Sequence, residues 1–382
     1  SDEFDMEIFN SGDYIRAVRQ KIETETITQV LYPSDAVPEG RELRLLQEYF
    51  LVACAVRDLS RRFDTTGLAV DRLPEWIALQ MNDTHPALAV AELMRMLVDE
   101  REVGWERAWE MTQAVCGYTN HTLLPEALEQ WPVSMLESVL PRHMQIIYEI
   151  NHRFLQTVRV QWPGDEERVR RMSLIQEEGE RTVRMANLAI IGSHAVNGVS
   201  ALHTRLVRVR LFRDFDEMYP GRIQNKTNGV AHRRWLLEAN PRLGACITRM
   251  IGTGWIENGE ELEKLEQHVE QAECLAAIQG AKQGAKRALV EYTKKEVGLT
   301  VNEEALFDVQ VKRIHLYKRQ WLNVLAIIDE YLRIVDEGWR PAAPRVCFFA
   351  GKAAPGYRMA KLVIRAIHAV GQVVNKDERA RE

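Results

Sequence analysis

Apolar residues spaced three or four apart predict helices over most of the chain. Between Gly40 and Phe63 the stripe is Leu43, Leu46, Phe50, Ala53 and Val56, and Pro38-Glu-Gly40 supplies the breaker before it. A second helix follows Asn82-Asp-Thr-His-Pro86 and carries Val90, Leu93, Met94 and Leu97, with Pro86 in its first turn and Thr84 or His85 as the cap. Trp105 to Tyr118 reads as a third. Arg142 to Val160 reads as a long fourth, with Ile147, Ile150, Phe154 and Val158 inward and Arg142, His143, His152 and Arg153 as its outer face. Asn187-Leu-Ala-Ile-Ile191 then reads as a buried strand, leading through Gly192-Ser-His to a helix from about Val196 to Val207, which puts His194 at a strand's carboxyl end. Arg222-Ile-Gln-Asn-Lys-Thr-Asn-Gly229 is a short strand running into a glycine turn, and a helix starts at Arg233.

The last third changes period. Residues 255 to 295 are charged and alanine-rich, with Leu262, Leu265 and Val269 at helical spacing, as in surface helices. Phe307, Val309 and Val311 alternate with polar residues as in a strand, and Trp321-Leu-Asn-Val-Leu-Ala-Ile-Ile is helical. A second strand spans Arg345-Val-Cys-Phe-Phe-Ala350, and Gly351-Lys-Ala-Ala-Pro-Gly-Tyr357 turns into a helix through Val373. Repeated strand–helix units predict an α/β fold with a parallel sheet and right-handed crossovers.

Composition narrows the function classes. A chain of 382 residues is long enough for two domains, and 46% hydrophobic and 27% charged residues are ordinary for a globular protein. The net charge of −5, from 55 acids and 50 basic residues, supplies no basic field for nucleic acid. Five scattered cysteines without a Cys-x-x-Cys pair fit a reducing compartment. The sequence has no bilayer-spanning apolar run and no signal peptide, so a soluble, cytoplasmic protein without membrane partners is expected.

Candidate chemistry gathers at a few turns. Lys312, Arg313, Lys318 and Arg319 surround a strand's carboxyl end and the following turn, where open α/β sheets bind ligands. Arg313 can grip a phosphate through two parallel hydrogen bonds and a lysine supplies a point charge, yet charge alone is equally compatible with a solvated basic face. On spacing alone Asn82 and Asp83 are capping and turn residues, and His121, in Thr119-Asn-His-Thr122, is a cap or a core residue. Ser193-His194 has no third member of a triad, and no pair of acids marks a hydrolase.

Asp308-Val-Gln-Val-Lys-Arg-Ile-His-Leu-Tyr-Lys-Arg-Gln320 resembles the phosphate-binding segment of the α-glucan phosphorylases, the enzymes of glycogen and starch phosphorolysis. Asn82-Asp-Thr-His-Pro86, Tyr118-Thr-Asn-His-Thr122, Leu140-Pro-Arg-His143, Gly192-Ser-His-Ala-Val-Asn-Gly198, Gln224-Asn-Lys-Thr-Asn-Gly229 and Gly351-Lys-Ala-Ala-Pro-Gly-Tyr357 resemble further family segments, in the family's order. The resemblance runs nearly end to end. It implies a two-domain, GT-B-like α/β architecture with Rossmann-like sheets. Residues 1–228 would be the later part of a glucan domain, and residues 229–382 the first part of a domain binding pyridoxal phosphate and phosphate. It also implies phosphorolysis of α-1,4-glucan by inorganic phosphate to glucose 1-phosphate, with pyridoxal 5′-phosphate as cofactor, in a homodimer when full length.

Carried over residue by residue, the resemblance makes Arg313 the grip on the substrate phosphate. Lys312 and Lys318 balance the substrate and cofactor phosphates, and Trp235 lies near the cofactor. Asp83, with Asn82 and His85, approaches the glucosyl unit, while His121 and Asn228 meet its 6-hydroxyl; His194 lines the pocket, and His315 and Tyr317 are scaffold. The family's Schiff-base lysine falls beyond residue 382, so the chain is expected to be a central piece of a bacterial-like member and inactive by itself. Three departures stand out: Ala36-Val37 in place of an aromatic loop tip, Ala231-His232 in place of Thr-Pro, and Leu316 in place of a glutamate. A sugar-nucleotide glycosyltransferase of the same architecture and a non-catalytic glucan- or anion-binding scaffold are the alternatives. The sequence does not separate glycogen from starch or maltodextrin.

Overall fold

The computed structural model describes residues 4–380. The chain divides between Asn228 and Gly229 into two compact units. Among the described residues there are nine strands: β1 (Leu79–Asn82), β2 (Cys116–Thr119), β3 (Gln130–Pro132), β4 (Ile175–Gln176), β5 (Thr182–Arg184), β6 (Ala195–Gly198), β7 (Ile223–Asn225), β8 (Leu306–Val311) and β9 (Arg345–Ala350). In the first unit β1-β2-β6-β7 form one sheet, parallel throughout, with Leu79 opposite Cys116, Gly117 opposite Ala195 and Val196 opposite Ile223. A small antiparallel sheet, β3-β5-β4, lies in the same unit. In the second unit β8 and β9 pair in parallel, Leu306 opposite Arg345. The class is the expected one, α/β with parallel sheets and many helices.

The first unit's core is built on the helix Leu88–Arg95, buried at every position but Arg95. The helix Pro141–Gln161 packs against it and turns Ile146, Ile147, Ile150, Phe154 and Val158 inward. Two expectations for the apolar runs are corrected. Residues 187–191 are not a strand but belong to the helix Met185–Ile191, buried all round against the helix Leu88–Arg95 and β2. Four apolar residues after Asn187 have no period to betray their conformation, and here helix packing decides it. The strand is β6, so His194 stands at its amino end, exposed, its amide donating to Gln113 and Cys116 carbonyls. The helix beyond it is Ala201–Leu206, capped by Ser200.

The helix starting at Trp105 stops at Val115, because Cys116-Gly-Tyr118 are taken into β2 between two partners. The helix Pro38–Asp64 forms as expected, but its buried stripe is Leu45, Val52, Val56 and Phe63, while Phe50 is 41% exposed. Both faces of that helix carry apolar residues at helical spacing, so periodicity fixes the helix but not its rotation. In the second unit Val309 and Val311 remain 50% and 61% exposed on the two-stranded sheet. No helix among the described residues is long and apolar enough to cross a membrane.

His143 is a further correction. It faces inward, its Nε2 donating to Glu92 Oε2 at 2.6 Å, and Arg95 grips the same carboxylate through two bonds of 2.8 Å. Burial pushes the Glu92 carboxyl up, but the hydrogen bonds from Arg95 and His143 outweigh it and hold its pKa at about 2. The folded value lies below the ordinary 4.5, so this carboxylate contributes stability above about pH 4.5 that is lost as the pH falls toward 2. Glu92→Ala removes the hydrogen-bond partner of buried His143 and one of the two carboxylates of Arg95, which keeps Glu100 at 2.8 Å, and is expected to destabilise the chain by about 1–3 kcal/mol, measured by urea unfolding at neutral pH. Glu92→Gln is expected to flatten the acid limb of the same measurement.

Candidate functional site

Four parallel strands deliver four carboxyl ends to one sheet edge, and the residues there are short and polar. Asn82 closes β1, Thr119 closes β2, Asn197 and Gly198 close β6, and Asn225 closes β7. The ladder continues past the strands: Asp83 N–H donates to Thr119 O at 3.0 Å, Asn120 N–H to Asn197 O at 2.9 Å, Lys226 N–H to Gly198 O at 3.1 Å and Asn228 N–H to Val199 O at 3.1 Å. Side chains link the same loops. Gln80 Nε2 donates to Thr119 Oγ1 at 2.9 Å, Thr119 Oγ1 donates to Asn197 Oδ1 at 2.9 Å, and His121 Nε2 bonds Asn82 Oδ1.

Asp83 holds a left-handed backbone, φ 72°, and its carboxylate accepts the Thr84 amide at 2.8 Å. Aspartate tolerates that conformation better than most residues, and such backbone clusters at functional sites. The helix that follows begins at Leu88 with no side-chain cap, so neither Thr84 nor His85 caps it. His203 Nδ1 accepts the Val199 amide at 3.2 Å, and burial lowers the pKa of its ring. Gly198 is required by close approach: a Cβ there would lie 2.4 Å from Thr204 Oγ1 and 2.9 Å from His203 Nδ1.

His85 belongs to an ionic cluster as well. Its Nδ1 lies 3.1 Å from Glu129 Oε2, 3.4 Å from Glu48 Oε1 and 3.3 Å from an Arg44 guanidinium nitrogen. Arg44 also bonds Glu129 at 3.2 Å and Glu48 at 3.3 Å, and stands 5.7 Å over the Tyr32 ring. Hydrogen bonds to Glu129 and then Glu48 push His85 up to about 10, and burial pushes Glu48 up to about 7. The three ligand atoms of Glu48, His85 and Glu129 lie within 4.8 Å of one another. Arg44 already supplies a positive charge at that point, which opposes a metal cation there. The cluster borders a cavity of about 420 Å³ lined by Tyr32, Leu51, Val52, Met81 and Asn82 among others.

In the second unit the carboxyl ends of β8 and β9 carry the cations. Lys312 N–H donates to Ala350 O at 3.0 Å and Ile314 N–H to Lys352 O at 3.1 Å, so the two strands stay zipped past their ends. A Cβ at Gly351 would sit 2.0 Å from Lys312 O. Buried Gln320 donates to Arg313 O at 3.0 Å, which fixes the backbone and leaves the Arg313 side chain exposed. Among the described residues no carboxylate forms a salt bridge with Lys312, Arg313, Lys318 or Lys352. Lys318 Nζ stands 4.5 Å over the Tyr317 ring, and His315 packs between Tyr317 and Tyr357 at 4.5 and 4.8 Å. Trp235 lies on the helix His232–Glu238, 55% exposed.

The carbohydrate phosphorylase family model matches residues 1–382. The chain belongs to this family. It is 49% identical over 377 residues to the glycogen phosphorylase of Synechocystis sp., covering 99% of this chain and 44% of that relative. It is 48% identical over 383 residues to the muscle-form glycogen phosphorylase of Ovis aries, covering 98% of this chain and 46% of the relative. The liver form of Bos taurus is equally similar, 48% over 383 residues, with 98% and 45% covered. The phosphorylase-family chain thus spans about half the length of the curated relatives it matches. Its helix-rich architecture with parallel sheets is consistent with the GT-B-like fold of the family.

Within the first unit the structure brings Asn82 to His121 and places Asp83 and Asn228 on the same strand-end ladder. Sequence reasoning missed Arg44, Glu48 and Glu129, which sit on a helix and a loop with no local pattern to mark them. It also passed over Thr119, Asn197 and Asn225, whose signal was present: each is a polar residue closing a strand inside a family segment. Gly198→Ala is expected to destabilise the phosphorylase-family chain by about 1–3 kcal/mol in urea unfolding followed by tryptophan fluorescence. Gly280→Ala, inside the helix Ala272–Val297 with nothing within 4 Å of its added Cβ, is expected to leave the transition unchanged or raise it by up to about 1 kcal/mol.

Proposed function

We propose that the whole protein is a glucan phosphorylase, cleaving α-1,4-glucan ends with inorganic phosphate to release glucose 1-phosphate. The observation that carries this reading is the row Lys312, Arg313 and Lys318 at the carboxyl edge of β8, without carboxylate partners among the described residues. Cations left unneutralised at such an edge suit an anionic ligand. The glycogen phosphorylase names of the relatives point the same way.

In this reaction a phosphate oxygen bonds to the anomeric carbon, the glycosidic C–O bond breaks, and the leaving hydroxyl takes a proton. Arg313 would hold the attacking phosphate through two parallel hydrogen bonds, fixing its approach. Lys312 and Lys318 would offset the repulsion between two phosphate groups brought close together. Asp83 would accept hydrogen bonds from sugar hydroxyls, His85 and Asn82 would flank it, and His121 and Asn228 would receive the 6-hydroxyl.

The unpaired cations of the second unit fit the phosphate of pyridoxal 5′-phosphate, and the exposed indole of Trp235 fits its ring. Pyridoxal phosphate supplies, when bound, a phosphate group able to donate and recover the proton. Lys312, Lys318 and Trp235 are the residues of this chain assigned to it, and none of its lysines is assigned the Schiff base. On the family resemblance we take residues 1–228 as part of the glucan domain and 229–382 as part of the cofactor and phosphate domain. On the same ground we take the whole protein as a cytoplasmic homodimer.

The test is steady-state phosphorolysis by the full-length protein. Arg313→Ala is expected to lower kcat/KM for phosphate by about 100-fold, with glucan affinity changed less than about twofold. Arg313→Lys keeps the charge, loses the two-point grip, and is expected to recover part of the loss. Equal loss for phosphate and glucan would remove Arg313 from the phosphate site. Steady transfer from a nucleotide sugar without phosphate would replace the phosphorylase reading by the glycosyltransferase one.

A further inference from the structure

The Glu48–His85–Glu129 cluster does more than fill space beside Asp83. Two carboxylates converge on one imidazole nitrogen: His85 Nδ1 is 3.1 Å from Glu129 and 3.4 Å from Glu48. Both acid side chains are only 10% exposed, and each keeps one buried oxygen, Glu48 Oε2 and Glu129 Oε1, without a hydrogen-bond partner. The imidazole is 40% exposed, borders the cavity beside Asn82, and makes no hydrogen bond through Nε2 among the described residues.

We propose that Glu129 and Glu48 are positioning residues for His85: they grip Nδ1–H from the protein side, keep the ring cationic, and present Nε2–H as a fixed donor to a ligand hydroxyl. This deepens the glucan reading and rests on it for the nature of the ligand. The proton on Nδ1 follows from the Glu129 contact, and the ring's charge from the convergence of two carboxylates on it. An unprotonated Nδ1 would set a lone pair against the Glu129 carboxylate at 3.1 Å, whereas a protonated one donates to it. Arg44, a donor only, finds its acceptors in Glu129 and Glu48 and does not need the ring.

The groups facing the ring are Arg44 and Glu48 from the helix Pro38–Asp64, Glu129 from the segment before β3, and the edge of Tyr32 at 6.4 Å. Burial, with Asp83 and Glu129, pushes the Tyr118 phenol up, so it stays neutral. With both acids ionised the charges of Arg44, His85, Glu48 and Glu129 cancel. Glu48 is the member that gains a proton near neutrality, its pKa lying at about 7, while His85 stays charged up to about 10. A raised histidine value means that the charged ring contributes below its folded pKa and is lost as the pH climbs through it.

The experiment pairs a spectroscopic with a kinetic readout on the full-length protein. With ¹⁵N-labelled histidine, the His85 ring is expected to be doubly protonated at about pH 8, assigned by its disappearance in His85→Gln. In Glu129→Gln it is expected to turn neutral at that pH. Glu129→Asp is expected to restore part of the charge, and Glu48→Gln, which mimics the protonated acid, to lower the ring's pKa less.

In phosphorolysis, Glu129→Gln is expected to raise the glucan KM roughly tenfold at about pH 8 and far less at about pH 6, with kcat changed less. A His85 ring that is neutral near pH 7 in the unaltered protein overturns the proposal, as does a pH-independent KM change in Glu129→Gln. Absence of phosphorolysis in the unaltered protein removes the glucan reading, while the ring's titration still decides whether Glu129 and Glu48 hold its charge.

Discussion

Parallel pairing is the constraint on which both units depend. Strands that run the same way must put their carboxyl ends at one edge, and the backbone groups just past those ends have lost their ladder partners. The protein resolves this by carrying the ladder on for one to three more residues, Asp83 to Thr119, Asn120 to Asn197 and Lys226 to Gly198 in the first unit, Lys312 to Ala350 and Ile314 to Lys352 in the second. The loops are thereby pinned where they leave the sheet. Their side chains, Asn82, Asp83 and His121 in one unit and Lys312 and Arg313 in the other, project from anchored backbone, as preorganised binding requires. At two of these ends glycine answers a close approach: a Cβ at Gly351 would strike Lys312 O across the ladder, and one at Gly198 would strike Thr204 and His203 of the segment that follows.

What the sequence disclosed follows from which signals are local. β8 and β9 could be read because each run is bounded by turn residues and followed by a clear helical period. The long helix Pro141–Gln161 could be read because its inward residues keep one phase over several turns. Met185–Ile191 could not, since a run buried on all sides has no polar face to set a period. Nor could the end of the helix at Val115, where a two-sided strand partner overrides the apolar pattern.

The site divides in the same way. Family segments single out Asn82, Asp83, His85, His121 and Asn228 as candidates because each lies within a contiguous motif. Arg44, Glu48 and Glu129 act through distances across the fold, so no window of sequence contains them together. His143 was read as surface for a related reason: a titratable residue on a helix looks like an outer face until its partner, Glu92 on another helix, is known.

Two buried glutamates show how partner number sets chemistry. Glu92 and Glu48 are both desolvated, and burial alone would raise both. Glu92 receives three hydrogen bonds from Arg95 and His143, and its pKa sits at about 2; its charge is fixed, and its role is to hold two helices. Glu48 shares His85 and Arg44 with a second carboxylate, keeps an unpartnered oxygen, and sits at about 7. The saturated cluster lies in the core and cannot respond to a ligand. The unsaturated one borders a cavity beside the strand ends, where a change of one proton or one hydroxyl still has an unfilled bond to act through.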